Sequence, residues 1–316
     1  MLFPVKIRIS QGTAVALGLS KVRCPDLPTT GYLLAGQGCM AKCAFCPQAG
    51  TQDDSRLSRV VWPEYELSEL TGALGSAGHG LKRLCLQATR HPNAEDALVL
   101  RIRELVLHQL PVCLSAGVDN LTQVEKWLAA GADKVSIALD GATPAIFQEV
   151  KGGDFYRTLA LLEKGAGNFP GRMATHLVAG LGETEEEMCR LIARLTGQKI
   201  TVALFAFTPV AGTPLGNEKP PEIGNWRRLQ ITNALLTRDP ALLKCFRFSP
   251  QGRILSFGLG LDYLTQVGKE AFRTSGCPDC NRPYYNERPG TELYNYPRPL
   301  TEAELAQTIS RLEVEE

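Results

Sequence analysis

The sequence has no apolar run long enough to cross a bilayer, no continuous apolar stretch near its start, and no surplus of either charge. Each absence removes a class of protein. A membrane-spanning helix needs about 20 consecutive apolar residues, so no membrane partner is expected. The opening residues alternate apolar with basic side chains instead of forming the apolar centre of a secretory leader, and a cytoplasmic protein is expected. A formal net charge of +1, from 34 Lys and Arg against 33 Asp and Glu, provides neither a nucleic-acid footprint nor a polybasic membrane surface. Internal repeats beyond an alternation of short elements, and low-complexity tracts, are missing too. What is present, 44% hydrophobic and 21% charged residues over 316 positions, suits a globular chain with a sizeable core.

Cysteine is the residue in excess. Ten are present, at positions 24, 39, 43, 46, 85, 113, 189, 245, 277 and 280. Disulfide scaffolds are short and exported, so in a long chain without an export signal these thiols point to metal binding or catalysis.

Short apolar runs at 31–35, 81–87, 112–116, 134–139, 174–181, 201–207, 245–249 and 271–274 read as strands. Between them, amphipathic stretches near 64–76, 93–109, 119–130, 155–166, 184–196, 222–237 and 260–267 read as helices, one opened by a capping box from Thr184 to Glu187. Eight such units suggest an α/β fold of the (β/α)8 TIM-barrel type, with its site at the strand C-termini; a doubly wound open sheet is the competitor. The boundaries expected are an N-terminal extension over 1–29, a barrel over 30–276, and a C-terminal extension over 277–316 ending in a helix from about 301. Residues 5–19 read as two strands of a hairpin joined at Gln11-Gly12.

The strongest signal is Gly38-Cys39-Met40-Ala41-Lys42-Cys43-Ala44-Phe45-Cys46-Pro47, directly after the first strand. Three soft thiolates on one loop can hold three irons of a 4Fe–4S cluster, leaving the fourth iron to chelate the amino and carboxylate groups of S-adenosylmethionine. One electron from the cluster then breaks the sulfonium C–S bond and releases a 5′-deoxyadenosyl radical. The alternative is structural zinc, which needs four closed ligands, usually from CxxC pairs. Here the spacing is three then two, and no fourth ligand is near in sequence.

The residues at 38–49, Lys82 to Cys85, Pro111 to Leu114, Gly180 to Thr184 and Gly212 to Leu215 together resemble the biotin synthase branch of the radical S-adenosylmethionine (radical SAM) superfamily. The resemblance implies a complete barrel enclosing cofactor and substrate. It also implies that Phe45 packs near the adenine, Asp140 bonds the ribose, Gln87 meets the methionine moiety, and Val210 offers backbone to the adenine. Read without the resemblance, Asp140 is a helix cap and Gln87 a satisfied interior amide. In biotin synthases a second, sacrificial cluster uses three barrel cysteines and an arginine. Cys85, Cys113 and Arg247 match three of these positions, but Ala174 stands where the third cysteine belongs. His176 shares that residue's parity, with a packed core histidine as its plainer reading; Cys85 and Cys113 are otherwise buried barrel thiols.

A different second cluster is expected from Ser275-Gly276-Cys277-Pro278-Asp279-Cys280, taken to leave an eighth strand at the catalytic end. Cys24, ahead of the first strand, would meet Cys277 and Cys280 across the barrel closure, with Ser275 as a weak fourth ligand. Half a zinc ribbon or a surface redox pair is the alternative. The tail from Thr274 resembles that of the two-protein lipoyl synthases. That likeness implies sulfur insertion into an octanoyl chain on a lipoyl carrier-protein lysine, a second radical SAM subunit, and a ferredoxin or flavodoxin donor. Arg282, Tyr284 and Tyr285 would shape the approach for the acylated lysine, or simply pack a folded tail over the barrel mouth. The competing activities are a biotin synthase-like enzyme, or a mutase resembling methylornithine synthase, which donates no sulfur. A mainly non-catalytic radical partner is a third reading, against which the complete CxxxCxxC motif argues.

Overall fold

Hydrophobic periodicity and capping chemistry set the elements, which we number along the chain of a computed structural model. It describes residues 6–36, 38–49, 55–92, 94–287 and 290–315; residues 1–5 of the expected N-terminal extension lie outside them. The strands are β1 (Lys6–Ile9), β2 (Thr30–Ala35), β3 (Arg56–Leu57), β4 (Val60–Val61), β5 (Glu64–Glu66), β6 (Arg83–Ala88), β7 (Val112–Ser115), β8 (Ala132–Ser136), β9 (Met173–Ala179), β10 (Thr201–Ala206), β11 (Arg247–Phe248) and β12 (Ile254–Ser256). The α-helices are α1 (Gln11–Ala16), α2 (Leu67–Leu74), α3 (Ala94–Val106), α4 (Leu121–Ala129), α5 (Pro144–Val150), α6 (Phe155–Asn168), α7 (Glu185–Gly197), α8 (Ile223–Arg238), α9 (Leu261–Ala271) and α10 (Glu302–Ser310). At α7, Thr184 and Glu187 form the capping box read from the sequence.

The principal sheet has eight strands in the order β10-β9-β8-β7-β6-β2-β1-β5. Its six consecutive members from β2 to β10 are parallel, while β1 pairs antiparallel with both β2 and β5. With amphipathic helices between the parallel strands, this is the expected α/β barrel. Side chains alternate between the barrel interior and the helical layer. The outward set, such as Leu33, Leu84, Leu86 and Leu114, is almost fully buried in the main core.

The last two expected strand–helix units take other forms. The run at 245–249 supplies β11, which turns back through Ser249 and Gly252 to pair antiparallel with β12; five residues between them leave no room for a helical crossover. The pair Ala271-Phe272 continues the buried face of α9, made by Leu264, Val267 and Gly268, and so closes a helix instead of opening a strand. At the other end of the chain the expected hairpin is a strand followed by a helix. Ser10 accepts from the Thr13 amide and caps α1, which local alternation had disguised.

Among the described residues no strand after β10 joins this sheet, and the tail fills the opening between β10 and β2. On one side the Leu204 amide donates to Ser275 Oγ (2.9 Å), Arg282 Nη2 donates to the Leu204 carbonyl (3.2 Å), and Asn286 Nδ2 donates to the Ala206 carbonyl (2.7 Å). On the other, the Thr29 amide donates to Asn281 Oδ1 (2.9 Å) and the Arg282 amide donates to the Tyr32 hydroxyl (3.1 Å). The terminal helix α10 docks on this same chain through Leu305, Ile309 and Leu312. There Arg228, ion-paired with Glu185 in the interior, also donates to the Leu312 carbonyl.

Candidate active site

Immediately after β2 the chain turns at Gly36, whose φ of +91° and close approach to Thr89 leave no space for a Cβ. This turn delivers the cysteine loop to the C-terminal end of the strands. Backbone hydrogen bonds pin the loop from several sides. The Met40 amide donates to the Arg90 carbonyl (3.0 Å), the Ala44 amide to Val150 at the end of α5 (2.7 Å), and the Leu215 amide to the Ala44 carbonyl (3.1 Å). The Arg90 amide donates to Cys39 Sγ (3.2 Å). Burial raises the Cys43 thiol to about 11 and the Cys46 thiol to about 12, with Lys151 opposing the first. Iron binding would reverse that preference, since a coordinated thiol is deprotonated outright.

Cys39, Cys43, Phe45 and Cys46 line a cavity of about 790 Å³ together with Gln87, Asp140, His176, Phe205, Tyr285 and Asn286. That volume is in the range of small-molecule and cofactor sites. Among the described residues, no three cysteine, histidine or acidic side chains converge on a point where they could share one metal ion. A cubic cluster takes each thiolate at a separate iron, so three thiols spread along the rim of a cavity fit its donor set.

Asp140 stands at φ +61°, its backbone paired with β9 through His176 and Val178, and its carboxylate 2.9 Å from Lys151 Nζ. It does not cap the next helix, because Thr143 does. Lys151 was not singled out from the sequence; its only signal is the Gly152-Gly153 pair that ends α5 at the cavity rim. Gln87 sits at the cavity wall near the end of β6. Val210 is not among the cavity-lining residues; its carbonyl accepts from the Thr213 amide and hydroxyl (3.1 and 2.8 Å). His176 faces the cavity edge-on to Phe205, ring centroids 5.1 Å apart, and burial lowers its pKa to about 4. Arg282 lies over the same Phe205 ring, its guanidinium 3.7 Å from the ring centre.

The tail cysteines are elsewhere than expected. Pro278 accepts from Arg83 Nε (3.1 Å) and Asp279 from Thr30 (3.2 Å), both residues at the starts of their strands, so Cys277 and Cys280 occupy the N-terminal base of the barrel, opposite the mouth. The expected grouping with Cys24 and Ser275 is not formed. Cys24 donates to the Asp26 carbonyl (3.0 Å), and Ser275 Oγ is engaged by Leu204. Cys277 instead meets Cys113 at 3.4 Å, while Cys280 meets the Tyr32 hydroxyl at 3.3 Å. Burial raises the Cys85 thiol, and Cys277 and Cys280 beside it add to the effect. Arg247 lies outside the barrel, exposed and paired with Glu315; the buried arginines beside the tail thiols are Arg83 and Arg282. Of the three residues expected to shape a substrate approach, Tyr285 lines the cavity, whereas Tyr284 bonds Asp26.

Several known proteins are similar to this chain. The biotin synthase of Synechococcus sp. (strain JA-3-3Ab) is 30% identical over 196 residues, covering 58% of this chain and 61% of that one. The biotin synthase of Beijerinckia indica subsp. indica is 28% identical over 189 residues, 58% of each chain. The chain thus aligns with about three-fifths of the length of these relatives. The crystal structure of HydG, a maturase of the FeFe-hydrogenase, superimposes with a TM-score of 0.54 at 11% identity, covering 66% of this chain and 50% of that one, a likeness of fold alone. The Radical SAM superfamily model matches residues 33–195, just over half of the 316, and includes the whole cysteine loop and strands β6 to β9. The chain belongs to the radical SAM superfamily.

Proposed function

We propose that this protein is a sulfur-inserting radical SAM enzyme, a lipoyl synthase component acting on an octanoyl chain carried by a lysine of a lipoyl carrier protein. When bound, a 4Fe–4S cluster with S-adenosylmethionine supplies a primary carbon radical that takes hydrogen from an unactivated carbon, and an auxiliary iron–sulfur cluster supplies the sulfide. Cys39, Cys43 and Cys46 would hold the first cluster. Asp140, oriented by Lys151, faces the cavity as an acceptor suited to ribose hydroxyls, and Phe45 and Gln87 give that space an aromatic and an amide wall. The chain's further task is to keep water away from a radical and fix the distance it must travel. His176, Phe205, Val178 and Tyr285 make the inner cavity wall largely apolar and aromatic, as an alkyl chain requires.

The single observation that carries the reading is a cavity lined by the three thiols of the CxxxCxxC loop, with a second group of thiols outside its lining, toward the starts of the strands. An electron donor of ferredoxin or flavodoxin type and a second radical SAM subunit are the expected partners. The test is single turnover of the reconstituted, reduced protein with octanoylated carrier protein, with and without that second subunit. The reading expects 5′-deoxyadenosine together with a sulfurated octanoyl group; deoxyadenosine with rearranged or unsulfurated product would replace it with a mutase.

A further inference from the structure

We propose that His176 and Tyr285 read the linkage of the acyl chain to its carrier, the Tyr285 hydroxyl donating to the amide carbonyl and the amide N–H donating to a ring nitrogen of His176. Both side chains line the cavity. They flank one ring, since Phe205 stands 5.1 Å from His176 and 5.7 Å from Tyr285, centre to centre and edge-on to each. The apolar bodies of both groups are therefore spent on packing, which leaves their polar atoms for the cavity. Among the described residues neither the imidazole nor the phenol hydroxyl has a hydrogen-bond partner.

Other polar groups around this wall are already satisfied. Asn286 Nδ2 donates to the Ala206 carbonyl and to Thr208 Oγ1 (2.7 and 2.8 Å), and Asp140 is paired with Lys151. Arg282, over the Phe205 ring, donates to the Leu204 and Ser275 carbonyls (3.2 and 3.1 Å). Gln87 and Ser115 have unused capacity too, but they stand on β6 and β7, where Gln87 is expected to meet the methionine moiety of the cofactor.

Water can serve His176 and Tyr285 while the cavity is open, yet the radical chemistry of the proposed function requires that water leave. A polar group stripped of water and left without a partner is costly, and an alkyl chain offers it nothing in exchange. An acylated lysine carries one donor and one acceptor beside its alkyl chain, in the amide, and that set matches this pair. Burial keeps the imidazole neutral, so one ring nitrogen accepts, while the phenol hydroxyl donates. A free fatty acid does not match, because its carboxylate needs a cation and both Lys151 and Arg282 are engaged. An ester or thioester lacks the N–H and leaves His176 unserved, the kind of mismatch by which enzymes reject close analogues. This assignment rests on the sulfur-insertion reading for the identity of the acyl chain.

The test offers the reconstituted full-length enzyme two peptides bearing a deuterated octanoyl group, one linked to lysine through the amide and one to the matching hydroxyl side chain through an ester. Binding is measured by equilibrium dialysis with S-adenosylmethionine and no reductant, and hydrogen abstraction by deuterium in 5′-deoxyadenosine after reduction. We expect wild type to prefer the amide about tenfold in both measurements. His176→Phe is expected to treat the two peptides nearly alike, His176→Asn to keep part of the preference through its amide oxygen, and Tyr285→Phe to weaken both peptides together. Each preference is a ratio within one variant, so a smaller folded fraction does not alter it. Equal affinity of wild type for amide and ester, a preference that survives His176→Phe unchanged, or no effect of Tyr285→Phe would each overturn the assignment while deuterium transfer leaves the functional reading standing. If neither peptide binds or yields deuterium, that reading falls and the assignment with it.

Discussion

At the mouth, Cys39, Cys43 and Cys46 lie within a span of eight residues, on an irregular loop steadied by backbone hydrogen bonds to α5 and to the segments after β6 and β10. At the base, Cys85 and Cys113 project from neighbouring strands, and Cys277 and Cys280 arrive from the chain's far end, amid buried arginines. The mouth offers three thiols beside an open cavity, an arrangement that leaves one iron free for a small molecule. The base offers four thiols, enclosed and faced by cations, an arrangement suited to holding a whole cluster away from solvent. Under the proposed function, one barrel would separate a site that exchanges its ligand from a site that keeps its contents until they are used.

The sharpest way to break that comparison is to remove the mouth thiols together. Replacing Cys39, Cys43 and Cys46 by alanine is expected to reduce 5′-deoxyadenosine formation to background in a chromatographic assay, because only these residues are placed to hold the iron that S-adenosylmethionine would occupy. A base variant, Cys113→Ser with Cys277→Ser, is expected to retain abortive deoxyadenosine formation while losing sulfurated product.

A purely structural change should affect neither thiol set. Glu185 and Arg228 are both almost fully buried, and Glu185 also accepts from Asn225 and the Ile254 amide. Glu185→Ala strands a buried guanidinium and is expected to cost about 3–5 kcal/mol in chemical unfolding, with iron content per folded molecule unchanged. Smaller still is Asp140→Asn at the mouth. Losing the carboxylate that faces the cavity is expected to weaken S-adenosylmethionine binding about tenfold, roughly 1.4 kcal/mol, by equilibrium dialysis.

The smallest effect concerns pH. The folded pKa of His176 lies near 4, below the ordinary value of 6.5, so the unfolded chain takes up this proton first. Its contribution to stability is present above about 6.5 and is lost as the pH falls toward 4. His176→Gln is expected to flatten the acid side of the unfolding profile over that window; an unchanged slope would show that His176 is not buried as described.

The same contrast explains what the sequence disclosed. The mouth loop is contiguous, so its chemistry can be read from spacing and from the strand that precedes it. The run of parallel strands and helices was legible for the same reason, since each element carries its own periodicity. The base joins residues 85, 113, 277 and 280, and nothing local in Pro278-Asp279 says which end of the barrel that turn will plug. Expecting an eighth strand over 271–274 sent the tail to the mouth and paired it with Cys24. Because those residues finish α9 instead, the chain re-enters at the base, and Arg83 and Arg282, not Arg247, are the cations beside its thiols. Lys151 was missed similarly, since its pairing with Asp140 depends on α5 folding back over the cavity.

Under the proposed function, sulfur would leave the base of the barrel for a chain held in the cavity above it. The most direct test is one turnover by protein reconstituted with heavy-isotope sulfide, given octanoylated carrier protein, S-adenosylmethionine, reductant and the partner subunit, with the product read by mass spectrometry. Heavy sulfur in the octanoyl group, absent when Cys113 and Cys277 are serine, is the predicted result; product carrying only light sulfur, or heavy sulfur that persists without those cysteines, would contradict it.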